Sequence, residues 1–217
     1  MIFDIVQTET DYITEKFAIR DRSGMPIGAV QMQGSYANNT LHIEGFFLGQ
    51  TFSMRYGKKW CKDVEGKKTH PYGVWVNDVP QGAVFEWRES LGFLKGMFVH
   101  KLVLKGLEYV RYPIAFGEAG GKHLIYHGDH QSALIETDAV IRDGLYSYHV
   151  YAEDAHAGLC AVLFSCYMFE RGAYQPGKKV AHSVVKRCSY TKDELLLEKY
   201  RPAFKEMICQ QDDDTSR

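Results

Sequence analysis

From residue 16 onward, apolar and polar residues alternate in short stretches separated by turn-forming residues. Positions 16–20 (KFAIR) put Phe17 and Ile19 on one face, Asp21-Arg22-Ser23-Gly24 is a turn signal, and 26–32 (PIGAVQM) returns. That pattern predicts a β-hairpin. Further strand candidates follow at 40–47, 51–56, 72–76, 83–87, 100–104, 110–116, 123–127, 133–138 and 145–151. Strands at roughly 8–12-residue spacing, with Gly, Asp and Asn between them, predict an all-β barrel or sandwich. The stretch 90–99 (SLGFLKGMFV) carries two glycines that weaken a helical reading of it.

The pattern changes at 154–171. Asp154 is placed to cap a helix and Gly172 to stop it, and no residue from 157 to 169 is charged. A helix that is apolar all round is buried on all sides. This one is too short to cross a bilayer, which takes roughly 20 residues. The expected architecture is therefore mainly β: a closed antiparallel β-barrel around a central hydrophobic helix at about 154–171. Cys160, Ser165 and Cys166, all within that helix, read as packing residues.

Beyond it, 175–179 is a turn and 180–185 a candidate last strand. Thr191 and Glu194 form a capping box, with Thr191 at the N-cap. The box opens an amphipathic helix bearing Leu195, Leu196, Leu197 and Tyr200. Pro202 interrupts that helix and starts another through Ile208. The remainder, 209–217, is acidic and is expected to be disordered. The organisation predicted is one domain over 1–208, with a helical extension at its C-terminal side.

The early hairpin has the form F-x-I-x-D-x-x-G-x-x-I, here Phe17, Ile19, Asp21, Gly24 and Ile27, and a strand at 146–151 runs into the hydrophobic helix. On these features the chain resembles the tubby-like superfamily of tubby C-terminal domains, LURP-one-related proteins and phospholipid scramblases. The resemblance covers about residues 1–185 and implies a roughly twelve-stranded barrel closed around one apolar helix. The helices after 191 depart from it, because they lie beyond the point where tubby itself ends.

Composition changes this picture little. The 217 residues are 45% hydrophobic and 24% charged, with a net charge of −1, which argues against a nucleic-acid partner. The first residues carry Asp4, Glu9 and Asp11 with no basic or long apolar run, so the expected location is cytoplasmic. Five cysteines without a CxxC pair fit reduced thiols.

Candidate chemistry is concentrated in two places. The segment 57–73 (GKKWCKDVEGKKTHPYG) holds Lys58, Lys59, Lys62, Lys67 and Lys68 beside Trp60. Basic side chains with an interfacial aromatic suit anionic headgroups, at about 1 kcal/mol per basic residue. Tubby-like domains bind phosphoinositides, so the resemblance points the same way. An ordinary solvated hairpin loop has the same composition. Within this segment Cys61, flanked by lysines, is the thiol most open to oxidation.

The second place is HLIYHGDH, with His123, His127, Asp129 and His130. On a strand His123 and His127 share a face but stand about 13 Å apart, too far for one metal ion. No G-x-S-x-G accompanies these histidines, and 117–122 (GEAGGK) lacks the spacing of a phosphate loop, leaving a Gly-rich turn.

The leading expectation is a non-enzymatic binding domain without a cofactor or metal. Its partner would be an anionic membrane surface or a phosphorylated small ligand at the basic loop. The alternatives are a β-rich hydrolase of sugar or phosphate esters, using acidic and histidine residues among Glu118, His127, Asp129, His130, Glu136 and Asp138, with Glu86 and Glu89 as further acidic candidates on strands, and an oligomeric interaction module built on the C-terminal helices.

Overall fold

In the computed structural model, residues 1–10, 14–34, 41–57, 68–90, 96–141, 145–172, 185–186 and 188–215 are described. Eleven consecutive strands open the chain: β1 (Ile2–Thr10), β2 (Thr14–Asp21), β3 (Pro26–Gln33), β4 (His42–Phe47), β5 (Gln50–Tyr56), β6 (Lys68–Val76), β7 (Val79–Ser90), β8 (Gly96–Leu104), β9 (Leu107–Ala115), β10 (Gly121–His127) and β11 (His130–Thr137). Then come the short β12 (Val140–Ile141), β13 (Ser147–Ala152), helix α1 (Ala155–Gly172), β14 (Val185–Lys186), α2 (Glu194–Glu198) and α3 (Pro202–Thr215). Each of β1 to β11 pairs antiparallel with its sequence neighbour, and β13 pairs with both β11 and β1, closing a barrel of twelve strands. The short β12 and β14 form a separate two-stranded sheet.

Burial alternates through β2, β3 and β13 and through the first six residues of β1, with one face toward the core. Successive antiparallel strands reverse direction, so connections alternate between the two ends of the barrel. At one end they are tight. Leu48-Gly49, Asn77-Asp78 and Lys105-Gly106 all sit at positive φ, the conformation that matches the twist of a two-residue hairpin. The Asp21 carboxylate organises another turn at this end, accepting hydrogen bonds from the Ser23 and Met25 amides, each at 2.9 Å. At the other end, β5 stops at Tyr56 and β6 begins at Lys68. The β9–β10 connection lies there too and is a 3-10 turn over Gly117–Ala119.

Asp154 caps α1, its Oδ1 accepting from the Ala157 amide at 2.8 Å. The helix is buried from Ala157 to Phe169 apart from the half-buried Met168, with Leu159, Cys160, Ala161, Val162, Leu163, Phe164 and Tyr167 all inaccessible or nearly so. These residues share one hydrophobic cluster with Phe3, Ile19, Ile43, Val84, Leu102, Ile135 and Val150 of the strands. Phe169 stacks edge-on against Phe17 of β2 and Tyr146, and Tyr167 against Tyr72 of β6 and His100 of β8.

A second core lies on the outer side of the sheet. Leu196, Phe204 and Ile208 of α2 and α3 cover Tyr112, Ile114, Leu124, Tyr126 and Leu134. Being covered on both faces, β10 and β11 carry runs of consecutive buried residues rather than alternation. The Tyr126 hydroxyl donates to the Lys199 carbonyl at 2.6 Å, and Lys205 bonds Glu136 at 2.7 Å.

Two sequence expectations are corrected here. The N-cap of α2 is Asp193, whose carboxylate accepts from Leu195 N at 3.1 Å, not Thr191. Thr191 Oγ1 instead accepts the Ala115 amide at 2.6 Å, which satisfies the end of β9. Residues 209–215 are helical, where the acidic composition predicts disorder. Their charges are matched across the fold: Asp212 lies 3.8 Å from the N-terminal ammonium, and Asp213 bonds Arg22. No helix among the described residues is long and apolar enough to cross a membrane.

Candidate functional site

Inward positions of the barrel are mostly apolar; besides the hydrogen-bonded Gln7 and Glu15 of β1 and β2, polar residues gather on four neighbouring strands. Val84 and Leu102 face the core, and two residues further along each strand, on the same face, stand Glu86 and His100. Glu86 pairs directly with His100, and His100 with Arg111 of β9. Ile125 of β10 is inward opposite Arg111, and the next inward position on that strand is His123. Four successive strands thus place a polar residue inside, forming a belt near the end of the barrel where β5 stops and β6 begins.

Arg111 is 6% exposed. Its Nη1 lies 2.8 Å from His123 Nδ1 and 3.0 Å from Met168 Sδ of α1, while its Nε has no hydrogen-bond partner. Among the described residues no carboxylate forms an ion pair with it. Burial lowers its guanidinium to about 10, against the opposing influence of Tyr167, Tyr148 and Glu86, so it remains a cation at neutral pH. A buried cation with no directly paired carboxylate among the described residues is expensive to keep.

The same contact fixes the state of His123. Burial first, and then the charge of Arg111, push its pKa well below the ordinary 6.5. Arginine is only a donor, so Nδ1 of the neutral ring is the acceptor and Nε2 carries the proton. A Cβ placed on Gly121 would stand 3.6 Å from that Nε2, 3.9 Å from Cys188 Sγ and 2.7 Å from Thr137 Oγ1. The lack of a side chain at Gly121 therefore leaves space beside the histidine. Its neighbour Gly120 has φ +83 and packs so closely that a Cβ would meet the Thr137 carbonyl oxygen at 2.1 Å.

These groups line a cavity of about 690 Å³, a size usual for small-molecule sites. Glu86, His100, Arg111 and His123 supply its polar floor, and Pro113, Ile114, Val140, Ile141 and Met168 its apolar walls. Asp138, Ser147, Cys188, Ser189 and Thr191 complete the lining. The segment holding the last three is fastened to β9 by the Thr191 amide, which donates to the Ala115 carbonyl at 2.9 Å, and by a bridge between Phe116 and Tyr190.

Of the basic loop, Lys58, Lys59, Trp60, Lys62 and Lys67 lie outside the described residues, as does Cys61. Lys68 opens β6, its backbone paired with Trp87. The histidine cluster is dispersed. His123 faces the cavity, His127 Nδ1 is 2.9 Å from the Glu108 carbonyl, and His130 Nε2 is 2.7 Å from Glu153 Oε1. Among the described residues no three His, Cys, Asp or Glu side chains are grouped to hold a metal ion.

Of the acidic residues considered for hydrolysis, Glu86 and Asp138 both line the cavity, and Glu136 does not. Glu136 is held on the outside between Lys122 and Lys205. Burial raises its pKa, but the hydrogen bonds from those lysines bring it below the ordinary carboxylate value. Of Glu118, His127, Asp129, His130, Glu136 and Asp138, only Asp138 lines the cavity. Ser165 is 1% exposed with its hydroxyl unpartnered, and burial pushes the Cys166 thiol up to about 12, so neither is an available nucleophile.

Sequence reasoning missed Arg111 and His100, and considered Glu86 only as one of several acidic residues for hydrolysis. The signal for them is parity: Arg111 stands two residues after Tyr109, and His123 two before Ile125, both inward. No family model, curated protein or solved structure matches this chain.

Proposed function

We propose that this chain is a non-enzymatic binding domain of the tubby-like kind, with α1 as the helix that fills its barrel. Its ligand is a small molecule bearing a phosphate or carboxylate, held in the cavity beside Arg111. The observation that carries this reading is the buried guanidinium with an unpartnered Nε and, among the described residues, no carboxylate paired to it. Together with the Nε2 proton of His123, it presents donors to an acidic group in a desolvated setting, where charge-assisted hydrogen bonds are strong.

The fold part of the proposal is supported by the burial of α1 against β2, β6, β8 and β9 side chains. It is also supported by the early hairpin, in which Phe17 and Ile19 are core residues, Asp21 organises the turn and Gly24 has φ +84. Binding rather than turnover is favoured by the cavity wall. Ser147, Ser189 and Cys188 have no histidine or carboxylate hydrogen-bonded to them among the described residues, so no activated nucleophile is in place.

The test is isothermal titration with a panel of phosphate- and carboxylate-bearing metabolites against wild type and Arg111→Met. Binding is expected to the wild type and to be lost in the variant. A panel that fails to bind, or binding that Arg111→Met leaves intact, overturns the reading.

A further inference from the structure

Met168 of α1 meets the cation of the cavity through its sulfur. Arg111 Nη1 directs one N–H to His123 Nδ1 at 2.8 Å and the other to Met168 Sδ at 3.0 Å. A thioether is a weak acceptor, so this donor is poorly satisfied, and the sulfur keeps a second lone pair. Met168 is half-buried and lines the cavity, and Asp138 and Ser189 of the same lining are exposed, so small solutes reach the sulfur from solvent. Met32 and Met54, by contrast, are sealed in the barrel core.

We propose that Met168 is a modification site, oxidised by hydrogen peroxide to the sulfoxide, whose new oxygen is bound by the Arg111 guanidinium. The free lone pair of the sulfur attacks one peroxide oxygen. An S–O bond forms as the O–O bond breaks, the proton of the transferred hydroxyl passes to the departing one, and water leaves. The sulfur is oxidised and the peroxide reduced by that electron pair. The product carries a strongly polarised oxygen one bond from the atom that already touches Nη1, so a weak acceptor becomes a strong one beside a buried cation. The consequence rests on the cavity being an acid-binding site. The sulfoxide oxygen takes guanidinium donors that a phosphate or carboxylate would use, and the oxidised chain is closed to its ligand until a methionine sulfoxide reductase removes the oxygen.

The first measurement is peptide mass spectrometry of the wild type during treatment with hydrogen peroxide at neutral pH. Met168 is expected to be consumed alongside the exposed Met25 and Met207, while Met32 and Met54 stay reduced. A Met168 that stays reduced after Met25 and Met207 are spent overturns the proposal. The second is thermal unfolding before and after oxidation, in wild type and in Arg111→Leu. Oxidation is expected to lower the melting temperature less in wild type, where the guanidinium receives the oxygen, than in the variant. An equal or larger drop in wild type overturns the pairing. Neither measurement needs a ligand. The third is isothermal titration with inorganic phosphate. Oxidised wild type, and unoxidised Met168→Gln with an amide oxygen at similar reach, are each expected to bind phosphate at least about tenfold more weakly, the scale of one hydrogen bond to a charged group. Met168→Leu is expected to bind it alike before and after peroxide. Binding lost in oxidised Met168→Leu places the effect of oxidation elsewhere and overturns the closure. Untreated wild type that binds no phosphate counts against the acid-binding reading, and the modification is then decided by the first two measurements.

Discussion

Arg111 Nη1 stands 2.8 Å from His123 Nδ1, and the histidine answers that cation with a lone pair instead of a charge. The pair therefore keeps a full positive charge inside the barrel. Residues retained for binding often lower the stability of the empty protein. Arg111→Met is expected to raise the stability of the ligand-free protein by about 1–3 kcal/mol, measured by urea denaturation. A variant less stable than wild type would mean that the guanidinium is a structural group.

Two histidines give opposite pH signatures. The hydrogen bond from His149 to Asp4 raises its pKa, so its contribution is fully present below about pH 6.5 and fades as pH rises through the folded value. His123 is depressed. Stability is unaffected above about pH 6.5 and falls below it, because the unfolded ring takes up a proton that the folded ring refuses. Relative to wild type, His149→Gln is expected to lose stability chiefly at the acidic end of a denaturation series from about pH 5 to pH 8. His123→Gln is expected to flatten the acid-side decline. Parallel profiles for the two variants would contradict both assignments.

Ser165 provides a test of the helix interior. Its hydroxyl is buried without a partner in the middle of α1. Ser165→Ala is expected to be neutral or to stabilise by up to about 1 kcal/mol, while Phe164→Ala next to it is expected to destabilise by about 3–5 kcal/mol. Thermal unfolding of the two variants distinguishes a packed helix from an exposed one, for which both changes would be small.

Glu136, between Lys122 and Lys205, ties α3 to the barrel. Glu136→Gln is expected to weaken that attachment by about 1–2 kcal/mol, and amide exchange in α3 should quicken while the barrel strands keep their protection. Unchanged exchange in α3 would show that the apolar contacts of Phe204 and Ile208 hold it unaided.

The strands and the late helix were readable because their signals are local. Phe17 and Ile19 recur at a spacing of two between Lys16 and Arg20, and 157–169 lacks charge altogether. The site was not. Arg111 sits in the stretch YVRYPI, where burial on both faces hides which residues point inward until Leu196 and Phe204 are seen covering one side. His123 looked like a member of a histidine cluster, but its partner comes from the neighbouring strand, and strand pairing is not written in local spacing. Thr191 had the spacing of a cap, yet the unsatisfied Ala115 amide claimed its hydroxyl. The lysines of the basic segment drew attention through density of charge, whereas the cation with the greatest consequence is a single one.

The two poles of the barrel differ in what they can tolerate. The pole of tight turns fixes register through Leu48, Asn77, Asp78 and Lys105 at positive φ, so insertion there disturbs the pairing of two strands at once. The cavity beside Arg111 lies toward the opposite pole, where the β9–β10 connection carries the 3-10 turn over Gly117–Ala119. A surface tether attached through the exposed Met25 side chain, at the tight-turn pole, would therefore leave the mouth clear without lengthening any turn.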